Sequence, residues 1–408
     1  MSLVLNTNIS SLQAQNNLNK SSSELSTATE DLSSGLKINS AADNAAGYAI
    51  ATRFQTQIGG LSQASENASD AINMAQTAGS ALSQITSNLQ SIRDLAVQAA
   101  NGTYQASDRA AINTSVQQYL AEVTRIANQT TFNGTNVLNG STSSLSFQIG
   151  SNVGQAIDVQ LGQGVTTSQM GQVSEISTAS ISGAFVSGGV SGQSISLAGL
   201  SIEGSDGKAY SLSGASASNA QGVADAINAA GIAGVSAAVN ANGGINIYST
   251  GELAVSGATL TGAAGTAFNL TSGALAFGAS GVGAAASGLA AGATYTDGTT
   301  ITASGSLAGG DVLTVDDANQ LISRVDAALN TVSTFSSNLG AMQNRFQSTI
   351  SMLSAQQTNL TSSQSTIQDT DFAAATAQLS QAQVLQQAGI SVLATANSDP
   401  QNILKLLQ

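Results

Sequence analysis

Apolar residues recur along this chain at two periods, and the period changes where the kind of structure changes. From Leu61 onward, Leu61, Ala68, Ala75, Leu82, Leu89 and Ala96 repeat every seventh position, and Ala64, Ala71, Ala78, Ile85, Ile92 and Ala99 follow three behind. Two apolar positions per heptad, sustained this long, predict a coiled-coil helix. Near the other end, Ala318, Val325, Val332, Leu339, Phe346, Leu353, Leu360 and Ile367 hold one seam position, with Leu321, Ala328, Phe335 and Met342 beside it. At about 1.5 Å per residue these helices would run roughly 60 and 75 Å. Helices that long must pack side by side, and a sustained seven-residue period implies a left-handed supercoil. Small residues at many positions of the first seam and bulkier ones on the second predict complementary packing, with Leu61, Leu82, Ile85, Leu89 and Ile92 against Val325, Val332, Leu339, Phe346 and Leu353.

Shorter amphipathic segments flank these helices. Leu5, Ile9, Leu12, Leu18, Leu25 and Leu32 mark a first helix ended by Gly35, and Phe372, Leu379, Ala382, Leu385, Val392 and Ala396 mark a last one closed near Pro400. Each reads as one apolar stripe on a Ser/Asn/Gln body. Paired only with one another, two such helices would bury too little to offset their ordering entropy, which predicts disorder in a free monomer unless something else covers the stripe.

After Asn101-Gly102 a further helix is predicted, with Ile112, Val116, Tyr119, Val123 and Ile126 on one face. The period then becomes two. Leu145, Phe147 and Ile149 alternate, Gly150 to Gly154 turns, and Ile157, Val159 and Leu161 alternate again, which reads as a β-hairpin. Beyond it, 28 of the 42 glycines fall between Gly171 and Gly310. Short β-like runs at Ser194–Leu197 and Gly244–Tyr248, a helical piece over Ala220–Ala230 and a nearly low-complexity stretch at Ala284–Ala293 make this middle a different structure from the ends.

Composition narrows the function. The 408 residues include no cysteine and no histidine, so Ser-His and Cys-His nucleophiles, imidazole and thiolate metal ligands and disulfides are unavailable. The chain reads as a non-enzyme with no cofactor or metal. Ten basic and 23 acidic residues leave a net charge of −13 with scattered cations, which argues against nucleic-acid binding. Charged residues make up only 8%, against about 25% in ordinary domains. The start, MSLVLNTNIS, reads as neither a cleavable signal peptide nor a membrane span. The carboxylates Asp316-Asp317, Asp369 and Asp371 read as helix N-terminal charge rather than a metal site, and Ser40 and Asp43 as caps where a helix restarts after Gly35.

These segments nest: outer helices at both termini, long helices inside them, a β-rich insertion at the turn. On its motifs the sequence resembles bacterial flagellin. The resemblance covers Met1 to Leu161 and Ala318 to Gln408. It is carried by LSSGLKINSAADNAAGYAIA from Leu32 to Ala51, IRDLAVQAAN from Ile92 to Asn101 and TFNGTNVL from Thr131 to Leu138. Toward the C-terminus it rests on LGAMQNRF from Leu339 to Phe346, VLQQAGISVLA from Val384 to Ala394 and PQNIL from Pro400 to Leu404. The middle is similar only loosely, at Val223–Ala229 and Ile245–Ile247, to an insertion module of some flagellins.

The resemblance implies a mainly α fold with a β-rich insertion: terminal-helix segments at 1–44 and 363–408, an inner helical domain from 45–172 and 311–362, and an outer domain at 173–310. It implies a subunit that self-assembles into an extracellular filament for swimming. Implied partners are other copies of the chain, the type III export apparatus and a chaperone, the filament cap and hook-filament junction proteins. The terminal stripes, with Ile403 and Leu404, would pack the filament core. Two of three residues expected for the animal flagellin-sensing Toll-like receptor are missing: Ser91 stands where an Arg is usual and Ser115 where a Glu is usual, while Leu95 matches. With Arg93 these mark the inter-subunit and receptor region, and recognition is expected to be weak. The rival readings are a hook-filament junction protein and a secreted adhesin or binding module on a coiled-coil stalk.

Overall fold

The computed structural model describes residues 8–178, 180–185, 194–257, 259–261, 267–269, 303 and 305–406, and side chains within these except at 259–261, 267–269 and 399–406. Its helices are α1 (Ile9–Ser34), α2 (Ala45–Ala99), α3 (Ala106–Gln129), α4 (Ala220–Ala229), α5 (Val315–Gln368) and α6 (Phe372–Leu406). The chain forms two compact units. The first comprises Met1–Ser69, Gln148–Ala156 and Gln347–Gln408, the second Asp70–Phe147 and Ile157–Phe346.

In the first unit, α1 and α6 pair antiparallel: Asn8 Nδ2 donates to the Ala396 carbonyl at 2.8 Å near one end, and Leu18 lies against Gly389 further along. Both are continuous helices in this structure. Residues of both helices close a seam that the single-stripe reading overlooked. Where α1 stops, Gly35 takes a left-handed conformation (φ +73°) and its N–H bonds the Asp31 carbonyl at 2.9 Å. The chain then runs beside the α5–α6 junction. Lys37 N–H donates to the Gln368 carbonyl at 2.8 Å and Thr370 N–H to the Gly35 carbonyl at 2.9 Å, around a β-bridge between Leu36 and Asp369. Both helix pairs therefore break at the same level and are tied there by backbone. Asn44 caps the restart, its side chain accepting from Gly47 N–H. Asp371 caps α6 by accepting from Ala373 and Ala374.

α6 also corrects the expected stop near Pro400, because the helix continues to Leu406. A proline inside a helix strands the carbonyl four residues back. Here that carbonyl belongs to Ala396, and it is the one that Asn8 bonds.

The seam positions expected of the long helices are buried except Met342, Leu360 and Ile367 on α5, which are half-buried. In the first unit Leu61 and Ala64 of α2 cluster with Leu353 and Leu360 of α5. In the second unit Leu82, Ile85, Leu89 and Ile92 of α2, and Val325, Val332, Leu339 and Phe346 of α5, are fully or almost fully buried. Both helices start or end beyond their expected spans, at 55 and 54 residues. α5 begins with a reciprocal cap: Asp317 accepts from Thr314 N–H at 3.0 Å, and Thr314 Oγ1 accepts from Asp317 N–H at 3.1 Å. On α3 the buried residues are Val116, Leu120, Val123 and Ala127. Tyr119, placed on that face by sequence, is 37% exposed, since Leu120 one position on fits the 3-4 spacing.

Short strands β1 (Thr131–Phe132) and β2 (Thr135–Asn136) pair across Asn133 and Gly134, and the expected hairpin forms from β3 (Ser144–Gln148) and β4 (Ala156–Gln160). Its turn meets α2 at Gly60, where a Cβ would come within 2.9 Å of Ser151, so glycine's cost inside the helix brings close approach.

The middle is a packed module rather than a string of turns. Strands β5 (Ser174–Ser177), β10 (Val235–Val239) and β11 (Ile245–Ser249) form an antiparallel sheet in the order β10-β11-β5. A second sheet, β12-β7-β8, uses β7 (Ser201–Glu203), β8 (Ala209–Ser211) and β12 (Ala254–Ser256). β6 (Ile195–Ser196) pairs with β9 (Ser216–Ala217), and β13 (Thr259–Thr261) with β14 (Ala267–Asn269). α4, capped by Asn219, inserts Val223, Ala224 and Ile227 into a core with Leu197, Ile202, Ile245, Ile247, Leu253 and Val255. The run at Ala284–Ala293 lies outside the described residues.

Phe346 is fully buried and meets Phe147 edge-on, with ring centroids 5.8 Å apart. Truncation leaves a cavity at the foot of the hairpin. Phe346→Ala is expected to lower the stability of the monomer by about 3–5 kcal/mol, measured by denaturant unfolding followed by circular dichroism.

Candidate assembly surface on the terminal helices

The α1/α6 seam is made of small residues alternating with larger ones. On α1, Ala14, Ser21 and Ala28 are buried, and Leu18 and Leu25 between them and Leu32 beyond are half-buried. On α6, Ala375 and Ala382 are buried, and Leu379, Gln386, Gly389 and Leu393 are half-buried. Each set advances by three and four residues, the spacing of a helix seam. Alanine and glycine let the backbones approach, and Gly389 lies where a Cβ would stand 3.3 Å from Leu18 Cδ1.

The residues expected to form single stripes therefore divide. Leu18, Leu25, Leu32 and Leu379 turn toward the partner helix within the chain. Ile9 (68% exposed), Leu12, Phe372, Leu385 and Val392 remain on the outside, joined by Val384 (65%) and Ile390, which the stripe reading missed. At about 100° per residue, Val384 lies opposite the seam, Phe372 and Ile390 on one flank, and Leu385 and Val392 on the other. α6 carries no charged residue from Phe372 to Ser398. An uncharged helix with large apolar side chains in three directions is one that further neighbours must cover. Val384 and Ile390 were legible in the sequence, but only if α6 was read as apolar all round rather than along one stripe. Leu5 lies outside the described residues, and the side chains of Ile403 and Leu404 outside those described.

The second unit holds the other candidate surface. Ser91 is half-buried and its hydroxyl donates to the Ser87 carbonyl at 3.0 Å; Leu95 and Ser115 are half-buried as well. Arg93 grips Asp326 of α5 with two hydrogen bonds, 2.7 Å from Nε and 3.4 Å from Nη2. That bond raises the guanidinium above its ordinary value, ahead of the charge attraction itself. The Asp326 partner was not legible in the sequence, since nothing local links positions so far apart.

Around the break in the outer helices, Asp43 accepts from the Ser40 and Asn39 N–H groups at 2.8 and 3.0 Å, which holds its carboxyl below the usual range. Asp31 is shifted the other way, first by burial and then by the Asp43 charge.

Family comparison agrees with this geometry. The model for the bacterial flagellin N-terminal helical region matches residues 5–143, and that for the C-terminal helical region residues 322–407. Flagellin of Salmonella typhimurium strain LT2 is 36% identical over 502 residues, with 100% of both chains covered. The chain belongs to the bacterial flagellins. B-type flagellin of Pseudomonas aeruginosa is 37% identical over 508 residues, again with 100% of each covered. Among solved structures, FliC from Burkholderia pseudomallei matches at 28% identity and a TM-score of 0.38, over 67% of this chain and 99% of that chain. The flagellar junction protein FlgL from Legionella pneumophila matches at 14% identity and a TM-score of 0.38, over 78% and 99%. With these family matches and full-length relatives, this flagellin is a structural subunit of the flagellar filament.

The Asp31–Asp43 coupling has a direct readout. In Asp43→Asn, the Asp31 carboxyl is expected to titrate at lower pH than in the parent chain, because a like charge has been removed; carbon-detected NMR of the side-chain carboxyls measures it. An unmoved or raised Asp31 midpoint would contradict the assignment.

Proposed function

We propose that subunits assemble through the outer faces of the α1/α6 pair, each α6 being covered by more than one neighbouring copy. The observation that carries this reading is the placement of Val384, Phe372, Ile390, Leu385 and Val392 around a stretch of α6 that carries no charge from Phe372 to Ser398 and is already paired on its remaining side. One partner helix covers one side only. A contact between different surfaces of identical subunits does not close on itself and yields an open helical polymer.

In this reading Ile9, Leu12, Phe372, Leu385 and Val392 pack the filament core between copies, with Leu5, Ile403 and Leu404 extending it. Leu18, Leu25, Leu32 and Leu379 contribute by holding each pair together. The segments 1–44 and 363–408 act as the assembly part, 45–172 and 311–362 as the inner helical part, and 173–310 as the outer part. The chain leaves the cell through the flagellar type III apparatus with a chaperone, is placed beneath the filament cap and meets hook-filament junction proteins at the filament base. Its role is structural rather than catalytic, since the sequence lacks His and Cys altogether.

Replacing Val384, Leu385 and Val392 together by Gln leaves the α1/α6 seam intact. This variant is expected to stay helical as a monomer and to lose growth on wild-type seeds by about tenfold or more, since each desolvated apolar contact is worth on the order of 1 kcal/mol. Seeded elongation followed by light scattering and negative-stain microscopy measures it, and wild-type growth would refute the assignment.

Recognition by the animal flagellin-sensing Toll-like receptor is proposed to be weak. Ser91 and Ser115 offer neither the cation nor the anion of the usual set, and Arg93 is engaged by Asp326. Depolymerised protein is expected to activate a receptor reporter line only at high concentration. Adding Arg at 91 and Glu at 115 should raise potency, and strong activation by the unmodified protein would overturn this.

A further inference from the structure

The first turns of α5 present two faces of different character. Ala318, Leu321 and Val325 are buried in the helical seam. Asp316, Gln320, Ser323 and Arg324 occupy the i, i+4, i+7 and i+8 positions of another face in the same compact unit; Gln320 and Ser323 meet the sheet β10-β11-β5, Asp316 its β10–β11 turn, and the Arg324 charge acts on Glu175 of β5. Each makes a polar contact. Asp316 accepts from Ala241 N–H at 3.0 Å, Gln320 Nε2 donates to Glu175, and the Ser323 and Ser236 hydroxyls lie 3.0 Å apart. Arg324 is 7% exposed and donates from Nη1 to the Ser306 carbonyl at 2.8 Å, with its Nε buried and unbonded. Glu175 on β5 stands directly opposite Tyr248 on β11, and the Tyr248 hydroxyl accepts from Asn246 at 3.0 Å.

A buried guanidinium and phenol beside a half-buried carboxyl are an expensive way to join a sheet to a helix, because each must be largely desolvated. Apolar side chains of similar size would adhere more cheaply but would tolerate sliding. Polar partners are satisfied in one geometry only. We propose that the Glu175, Gln320, Arg324 and Tyr248 cluster is a lock that fixes the β module on α5 in a single orientation, with Glu175 as its positioning residue.

Titration supports this. Glu175 is faced by Arg324, Asp316 and Asp317 from α5 and by Tyr248 from β11, and Arg324 is also faced by Asp311 from the segment before α5. Burial pushes the Glu175 carboxyl up, and the Gln320 hydrogen bond and the Arg324 charge only partly reverse it. Burial likewise pushes Tyr248 up and Arg324 down. A carboxyl whose docked value is raised contributes most below its undocked value, and that contribution is lost as pH rises through the docked value. The lock is therefore tightest in mild acid. Asp311 is shifted up as well, by burial first, and acts with the same sign.

The chain has no cysteine, so a pair introduced as Ala229→Cys on α4 and Asn330→Cys on α5 takes two spin labels cleanly. The inter-label distance distribution of the full-length monomer reports the module's orientation without reference to assembly. It is expected to be narrow in mild acid and broader in mild alkali. Glu175→Ala and Gln320→Ala are each expected to widen it by about twofold or more, because each removes the hydrogen bond that joins β5 to α5. Glu175→Gln should stay narrow, and together with Asp311→Asn should remove the pH dependence. Gln320→Ala carries the test if Glu175→Ala does not fold. Unchanged width in the alanine variants, or an undiminished pH dependence in the Glu175→Gln, Asp311→Asn double variant, overturns the lock.

Discussion

Everything in this subunit depends on segments from opposite ends of the chain lying side by side. Bringing together positions more than 300 residues apart, as Lys37 and Thr366 are, costs only about 3 kcal/mol more than closing a twelve-residue loop, because the entropy grows with the logarithm of length. One or two fully buried leucines offset that. In the first unit the Leu61, Ala64 and Leu353 cluster and the backbone tie at Leu36 and Asp369 supply this closure. The α1/α6 pair lies next to this closure. This is why the two outer helices pair even though each buries mainly alanine, serine and glycine.

The seam that brings α1 and α6 close takes in Leu18, Leu25, Leu32 and Leu379 and leaves the other large apolar residues without a place within the pair. Close approach and outward exposure are one arrangement: Ala375, Ala382 and Gly389 occupy the inside, so Val384, Leu385 and Val392 are outside. The polar remainder of the surface is unusually self-contained. Thr358, Ser363 and Thr366 on α5, and Thr376 and Ser380 on α6, each return a hydroxyl to the carbonyl four residues back. Such a surface can be covered by another helix without stranding donors or burying charge. The low charge noted in the sequence and the exposed apolar faces thus serve the same packing.

Much of the helical frame was legible beforehand, because a heptad repeat records which side of a helix is covered. The long seams, the Gly35 break and the hairpin around Gly150 to Gly154 all followed from local pattern. Misreadings occurred where a neighbour intervened. Pro400 would end an isolated helix, but Asn8 bonds the carbonyl that the proline strands. Tyr119 lost its place to Leu120 by one position of helical phase. In the glycine-rich middle the β-like runs and the one helical piece were legible, but strands of two to five residues say nothing of their partners, and only their pairing across distant positions builds a core.

By itself the sequence determined the helix-forming segments, the seams they carry, the absence of the side chains that most enzymes need and membership of the flagellins, since each is written in periodicity or in residue type. The tertiary structure decided which apolar residues close the α1/α6 seam and which stay outside. It also gave Arg93 its Asp326 partner and brought the buried Arg324 and the half-buried Glu175 into one cluster. Periodicity is a property of a single segment, whereas a side chain's partner depends on which other segment is folded against it.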